Sequence, residues 1–384
     1  MPPGRPIISQ KQTATEKIGH YTDYFLVPIV QKQNSYIKDT MDFIKKIESL
    51  ECPSNSLLIS YDVTSMYTNM TFDELLSAVR KAITECDLGS YVNIPIPDTD
   101  DIIFLLKCVL ENNLFEFNGK YYKQTIGAAM GAVPSPEICD IRMYEITKEI
   151  LNQYEHRNKI VFHGRFRDDG FIIFNGSLEE ATRFFEIGNH VHPLLKFTYE
   201  ISESSMVFLD TVIYKGIRFT ESGVLDTKSY IKPTNSFQFL HRTSAHHKSV
   251  FKGFIKGDCI RHARNTSSRD ILIKELSDFK IQLLKRGYSE KETDAIISQI
   301  RAADRNKFTN KKRKNKNKQI PNVLITKYDP RINGIKKKLM KYWSTVMNDE
   351  QCKKIFTAEP MVAFSKYKNI GDLVTHSLLF KVDS

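Results

Sequence analysis

Ile160-Val-Phe-His-Gly-Arg-Phe-Arg-Asp168-Asp169-Gly-Phe-Ile-Ile-Phe174 reads as strand, acidic turn, strand. Apolar residues crowd both arms, Ile160 to Phe162 before the turn and Phe171 to Phe174 after it, so the turn rides on a buried hairpin. Two adjacent aspartates at the tip press like charges together, which costs stability unless a cation sits between them. A lone Asp-Asp pair is most often a surface turn. Its meaning here depends on what the rest of the chain brings to it.

Upstream, Ser56-Leu-Leu-Ile-Ser-Tyr-Asp62 is a short apolar run that ends in an acid, as a buried strand would deliver a carboxylate to a site. If that strand pairs with the hairpin, Asp62, Asp168 and Asp169 converge. Asp62 must then lie within about 10 Å of Asp169, or shared ions could not bridge them. Hard oxygen donors with no His or Cys beside them favour magnesium over zinc. Two such ions about 3.5–4 Å apart would clamp the attacking and leaving oxygens of an in-line phosphoryl transfer. The competing reading of Asp62 is a cap on the next segment. Between the acids lies Gln124-Thr-Ile-Gly127-Ala-Ala-Met-Gly131-Ala-Val-Pro134-Ser-Pro136. Its glycines permit close backbone approach to a ligand and Pro136 suits a helix start, though alone it is an ordinary loop.

The surrounding pattern is mixed α and β. Two helices are expected in the first 55 residues, one with Tyr21, Tyr24, Phe25 and Ile29 that Pro28 ends or kinks, and one with Met41, Phe43, Ile44 and Ile47. Thr71-Phe-Asp-Glu74 is a capping box opening a helix, and a second helix is expected over 100–111. Phe115 to Tyr122 reads as a hairpin turning at Asn118-Gly119. Helices are expected over 136–153 and 178–192, and strands near 196–202, 206–214 and 226–231. From His246 to about Ile300 the chain turns helical and basic, and one more helix is expected near 336–347.

Composition excludes several classes. The 384 residues are 41% hydrophobic and 26% charged, which is ordinary for a globular chain and not for a disordered tail or a disulfide miniprotein. No apolar run reaches the roughly 18–20 residues of a membrane span. Cys52, Cys86, Cys108, Cys139, Cys259 and Cys352 are scattered with no C-x-x-C pair, so they read as reduced thiols of an intracellular protein. The net charge is +11, and Arg305–Lys341 alone carries 14 Lys or Arg against Asp329, a balance of +13 that leaves −2 for the rest. Such a run suits a polyanion partner, although it also suits a solvated linker or a nuclear localisation signal.

Together and in this order, these segments resemble the reverse transcriptases of Penelope-like elements, a retroelement group related to telomerase. Ser60-Tyr-Asp-Val-Thr-Ser-Met-Tyr-Thr-Asn69 resembles the first catalytic motif. Asn113-Leu-Phe-Glu-Phe-Asn-Gly, with Tyr122, Gln124 and Gly127-Ala-Ala-Met-Gly131, resembles the template- and nucleotide-positioning motif. Arg165-Phe-Arg-Asp-Asp-Gly-Phe resembles the aromatic-x-Asp-Asp motif, and 192–200 with Phe208-Leu-Asp210 the palm motifs that follow. Ser229-Tyr-Ile-Lys-Pro-Thr234 and the basic helices after it resemble the start of the thumb. Arg5-Pro-Ile-Ile-Ser and Pro360-Met-Val-Ala-Phe-Ser fit flanking blocks.

The resemblance implies an α+β right-hand polymerase of fingers, palm and thumb, with an antiparallel palm sheet and a helical thumb. It implies an RNA-directed DNA polymerase that uses an RNA template, a DNA primer and dNTPs, in the nucleus. Asp62, Asp168 and Asp169 would hold two magnesium ions, manganese being able to substitute, with help from the Val63 carbonyl. Tyr67 would crowd a ribose 2′-hydroxyl. Gln124, Gly127 and Gly131 would line the nucleotide and template side, Lys196 would serve as general acid for pyrophosphate, and Arg5 would meet the triphosphate. The implied organisation is a fingers-associated segment over 1–55, palm with interleaved fingers over 56–215, end of palm and thumb over 216–300, a basic linker over 301–345 and a C-terminal segment over 346–384.

Three departures stand out. Family members usually carry more chain ahead of the Arg5 block. The 131–136 stretch reads Gly-Ala-Val-Pro-Ser-Pro where a Ser or Thr commonly follows the glycine. Many members also continue into a GIY-YIG endonuclease, so no nicking activity is expected here. Two rival readings remain: a domesticated or decayed relative that binds nucleic acid without polymerising, and an RNA-binding scaffold acting through the basic run.

Overall fold

Alternation along Leu57–Thr64 decides the centre of the fold. In the computed structural model, which describes residues 7–309, 322–329, 334–356 and 359–365, this strand is flanked on both edges. The chain divides into two units, Met1–Tyr230 and Ile231–Ser384. In the first, the elements run α1 (Glu16–Gln31), α2 (Thr40–Glu48), β1 (Leu57–Thr64), α3 (Phe72–Glu85), α4 (Thr99–Glu111), β2 (Leu114–Phe117), β3 (Lys120–Lys123), α5 (Ser135–Gln153), β4 (Ile160–Phe166) and β5 (Asp169–Phe174). They continue α6 (Leu178–Val191), β6 (Lys196–Ser202), β7 (Ser205–Phe208), β8 (Thr211–Tyr214), α7 (Ile217–Ser222) and β9 (Asp226–Ser229). The expected α+β class holds, and the main sheet, in the order β4-β5-β1-β6, is antiparallel throughout.

The two faces of that sheet have different fates. Leu57, Ile59, Tyr61 and Val63 are buried in a core shared with Phe25 of α1, Leu75 of α3, Ile138 of α5 and Phe185 of α6. On the other face Leu58, Phe171 and Ile173 are covered by Phe43 of α2 and by Met206, Phe208 and Ile213 of the small sheet β7-β8-β9. Along β1 burial then alternates, and Asp62 and Thr64 emerge half-buried and exposed. The carboxylate end of the sheet is therefore rigidly backed on one side and open on the other.

Several local expectations change. The strand does not stop at Asp62 but continues to Thr64, because Val63 and Thr64 still pair with Phe197 and Lys196. The stretch 206–214 is a hairpin rather than one strand, turning at Leu209, whose φ is +54°. Helix α1 runs through Pro28, which falls in its last turn, and Tyr21 and Tyr24 lie exposed instead of on its buried face. Thr71 caps α3 by accepting from Glu74 N–H, but the Glu74 carboxylate reaches His192 at 3.2 Å rather than closing a box. The reciprocal box belongs to Ser177 and Glu180, at the start of α6.

In the second unit α8 (Lys248–Asn265), α9 (Arg269–Lys285) and α10 (Glu290–Arg301) pack around Phe251, Ile255, Leu276, Phe279 and Ile297. There follow α11 (Asn306–Thr309), β10 (Val323–Lys327), α12 (Ile335–Met347), α13 (Glu350–Ile355) and β11 (Met361–Ser365). β10 and β11 form a parallel pair that period and composition had not suggested. No helix among the described residues is long and apolar enough to cross a membrane. Arg5, Lys311–Lys318 and the end of the late block after Ser365 lie outside the described residues.

Candidate active site

Asp62 and Asp169 are direct cross-strand partners. The Val63 N–H donates to the Asp168 carbonyl at 3.2 Å, so the two acids form the non-hydrogen-bonded kind of antiparallel pair. Their Cα atoms are then about 4.5 Å apart and their side chains share one face. That is well inside the separation the sequence reading demanded. Asp168 precedes Asp169 in the two-residue turn joining β4 to β5.

The electrostatics follow. Asp169 is partly buried beside two like charges, so its pKa is pushed up to about 6, first by burial and then by Asp168 and Asp62. An unfolded aspartate titrates near 4. Between about pH 4 and 6 the folded chain thus holds more of this proton than the unfolded one, and stability falls as pH rises through that window. Without divalent ions, Asp169→Asn should have a higher Tm than the wild type at pH 7, and the gap should close by about pH 4. A thermal melt series settles this; a gap that does not change with pH would contradict it.

Among the described residues no three His, Cys, Asp or Glu side chains are placed to enclose one ion. Magnesium does not ask for that, since it is commonly held by one or two carboxylates together with water and substrate phosphates. An all-oxygen donor set in which burial, then the charges of Asp168 and Asp62, hold one member protonated more readily than usual fits such an ion.

The turn is held from behind. Arg167, between Phe166 and Asp168, has φ +59°, as at the first central position of a type II′ turn, where glycine is usual. Its guanidinium donates to Asp140 Oδ2 at 2.5 Å and to Glu137 Oε1 at 2.9 Å, both on α5. Arg165, 3% exposed, donates to Asp140 Oδ1 at 2.5 Å, to the Asp140 carbonyl and to the Arg167 carbonyl, each at 2.9 Å. Asp23 of α1 completes the group: burial, then the charge of Glu137 and a hydrogen bond with it, push its pKa up to about 7. Sequence reading had singled out none of these five. The available signals were two arginines astride Phe166 and the i, i+3 spacing of Glu137 and Asp140 at the start of α5.

The remaining candidates divide. Tyr67 is half-buried in the turn after β1, and burial, then Cys139, Asp140 and Asp168, raise its pKa. Its carbonyl accepts from Ala128 N–H at 2.7 Å, which fastens the glycine loop beside the acids. Gln124 is tied down locally, its N–H donating to the Asn113 carbonyl at 3.0 Å and its Nε2 to the Ile126 carbonyl at 2.8 Å. Gly127 and Gly131 have φ +78° and +129°, and a Cβ on them would meet the Tyr67 and Ile8 carbonyl oxygens, each at 2.4 Å. The close approach they permit is to the chain itself. The Val63 side chain is buried. Lys196 stands opposite Thr64 on the face of Asp62, exposed, with Nζ donating to the Asn189 carbonyl at 2.9 Å.

No curated protein sequence matches the chain. A family model described as an animal helix-turn-helix domain matches residues 238–298. Among solved structures, telomerase from Candida albicans with a fragment of telomeric RNA is similar at 12% identity and TM-score 0.49, over 77% of this chain and 51% of that one. A truncated apo telomerase from Candida tropicalis is similar at 15% identity and TM-score 0.42, over 57% and 46%. The BmCPV RNA-dependent RNA polymerase in its quiescent state is similar at 14% identity and TM-score 0.39, over 52% and 19%. The chain thus spans about half the length of these telomerases. The strand order and the register of the acids, taken from the chain itself, fit the palm of a right-hand polymerase.

Proposed function

We propose that the chain is an RNA-directed DNA polymerase of the Penelope-like kind, extending a DNA primer on an RNA template with dNTPs. The observation that carries this reading is the register: Asp62 lies directly opposite Asp169, with Asp168 beside it, at the half-open end of a four-stranded antiparallel sheet. Carboxylates so arranged would activate a primer hydroxyl toward an α-phosphate.

Asp62, Asp168 and Asp169, helped by the Val63 carbonyl, would hold two magnesium ions. When bound, these would lower the hydroxyl's pKa and stabilise the charge developing on phosphorus and on the leaving oxygen. Tyr67 would crowd the 2′ position of an incoming sugar, and the Gln124–Gly131 loop would lie along the nucleotide and template. Lys196, which gives the Asn189 carbonyl one of its three N–H donors, would protonate the pyrophosphate. The basic run would hold template-primer through phosphates, with little sequence preference.

The test is primer extension on an RNA template with magnesium, beside a binding assay with the same template-primer. Extension is expected, and chelation of magnesium should abolish it while leaving binding in place. Binding with no extension under any divalent ion would favour the non-polymerising relative. Tyr67→Ala should lower the preference for dNTPs over rNTPs by roughly 10–100-fold, because the gain is steric. An unchanged ratio would remove Tyr67 from that role.

A further inference from the structure

We propose that Arg167, anchored by Asp140 and Glu137, is a positioning residue that holds Asp168 and Asp169 in their working geometry. This deepens the polymerase reading and rests on it. Asp168 and Asp169 lie beyond a backbone position that an L-residue other than glycine rarely adopts, since Arg167 has φ +59°. Such a conformation is strained and persists only where the surroundings over-determine it. The surroundings here are specific. Asp140 uses one carboxylate oxygen for Arg165 and the other for Arg167, each at 2.5 Å, so one side chain grips both residues flanking Phe166.

The grip extends to the backbone, because Arg165 also donates to the Arg167 carbonyl at 2.9 Å inside the turn. Arg165, on β4, is in turn fixed to the segment after α1, its N–H donating to the Ser35 carbonyl at 2.6 Å and its carbonyl accepting from Ile37 N–H at 2.9 Å. Glu137 adds a second acceptor for Arg167 at 2.9 Å. The turn is therefore bolted to α5, the helix that the glycine loop leads into. Without the guanidinium the hairpin and the Arg165 bond to the Arg167 carbonyl would remain, but the tie from residue 167 to Asp140 and Glu137 would be lost. A glycine at 167 would be free to keep it but equally free to leave it.

That contrast supplies the experiment. Arg167→Gly removes the clamp and relieves the backbone strain, so fold stability and site geometry should respond differently. The measurement is Mn²⁺ affinity of the full chain without nucleic acid, by electron paramagnetic resonance, followed by kcat and KM for primer extension. Losing a partner that orients metal ligands costs about 10–100-fold in affinity or activity. Arg167→Gly is expected to lose about that much Mn²⁺ affinity and kcat, with KM for template-primer nearly unchanged. Arg167→Lys, which keeps the charge but cannot fork to both carboxylates, should recover only part of the loss and serves as the variant if the glycine form does not fold.

Wild-type Mn²⁺ affinity and kcat in both variants would overturn the proposal. Asp62→Asn is the control that separates the two readings. If it binds Mn²⁺ as the wild type does, the polymerase reading falls and takes this proposal with it. If only Asp62→Asn loses binding, the positioning role alone falls.

Discussion

Asp168→Asn is expected to reduce primer extension by roughly 10³-fold or more while leaving template-primer binding intact. The substitution keeps the volume of the side chain and removes one of three negative charges at the end of β1 and β5. Carboxylate-held ions supply several kcal/mol to the transition state, and each 1.36 kcal/mol is a factor of ten in rate. Binding should not weaken, since taking away a negative charge cannot repel a polyanion. Asp62→Asn should behave alike, because it is the direct cross-strand partner of Asp169. The Asp62→Asn/Asp168→Asn pair should cost little more than either single change, as groups acting as a unit are not additive. Single-turnover incorporation at saturating template-primer measures all three. Equal extension by wild type and Asp168→Asn would refute the assignment.

Gly170→Ala should destabilise the first unit by about 3 kcal/mol, lowering Tm by roughly 6–12 °C. Its φ is not in the glycine-only region, so the backbone would accept alanine. Space would not. A Cβ at 170 would fall 1.9 Å from Cζ of Tyr61. That ring is 4% exposed, packs against Phe185 and Phe197, and is pinned through its hydroxyl to His163 Nε2 at 2.7 Å. His163 is half-buried, and desolvation of its ring, then Arg165, push its pKa down to about 4, so it stays neutral at physiological pH. The tyrosine has nowhere to swing. Differential scanning calorimetry would show the shift; an unchanged Tm would mean that the core under the acidic turn yields more readily than its packing implies.

The clash also explains why the residue after the second aspartate is glycine, independently of any chemistry. The close backbone approaches at Gly127 and Gly131 are likewise internal, so glycines that look made for a ligand first serve the packing of the loop.

The elements that local physics could specify were readable from the chain. Alternating and continuous apolar runs marked β1, β4 and β5, Asn118-Gly119 marked the β2-β3 hairpin with both residues at positive φ, and helical periodicity marked α2 to α6. The three acids were legible as well, since Asp62 follows an apolar run and Asp168 and Asp169 lie between two others. What could not be read were the relations set by neighbours far along the chain. The split of 206–214 into β7 and β8 depends on pairing with β9, and the half-finished capping box at Thr71 depends on His192 drawing Glu74 away. Asp140 and Arg167 are 27 residues apart and look like ordinary surface charges in sequence.

The sequence by itself therefore determined that a short acidic turn sits on an apolar hairpin and that a third carboxylate follows a neighbouring apolar run. Periodicity and turn chemistry are local and need no partner to be recognised. Only the tertiary structure decided that Asp62 stands in register with Asp169, that Gly170 lies beneath Tyr61, and that the buried acids Glu137 and Asp140 of α5 brace the turn through Arg165 and Arg167. Strand register and ion pairing are long-range choices, made by which faces must leave water together and which buried charges must find each other.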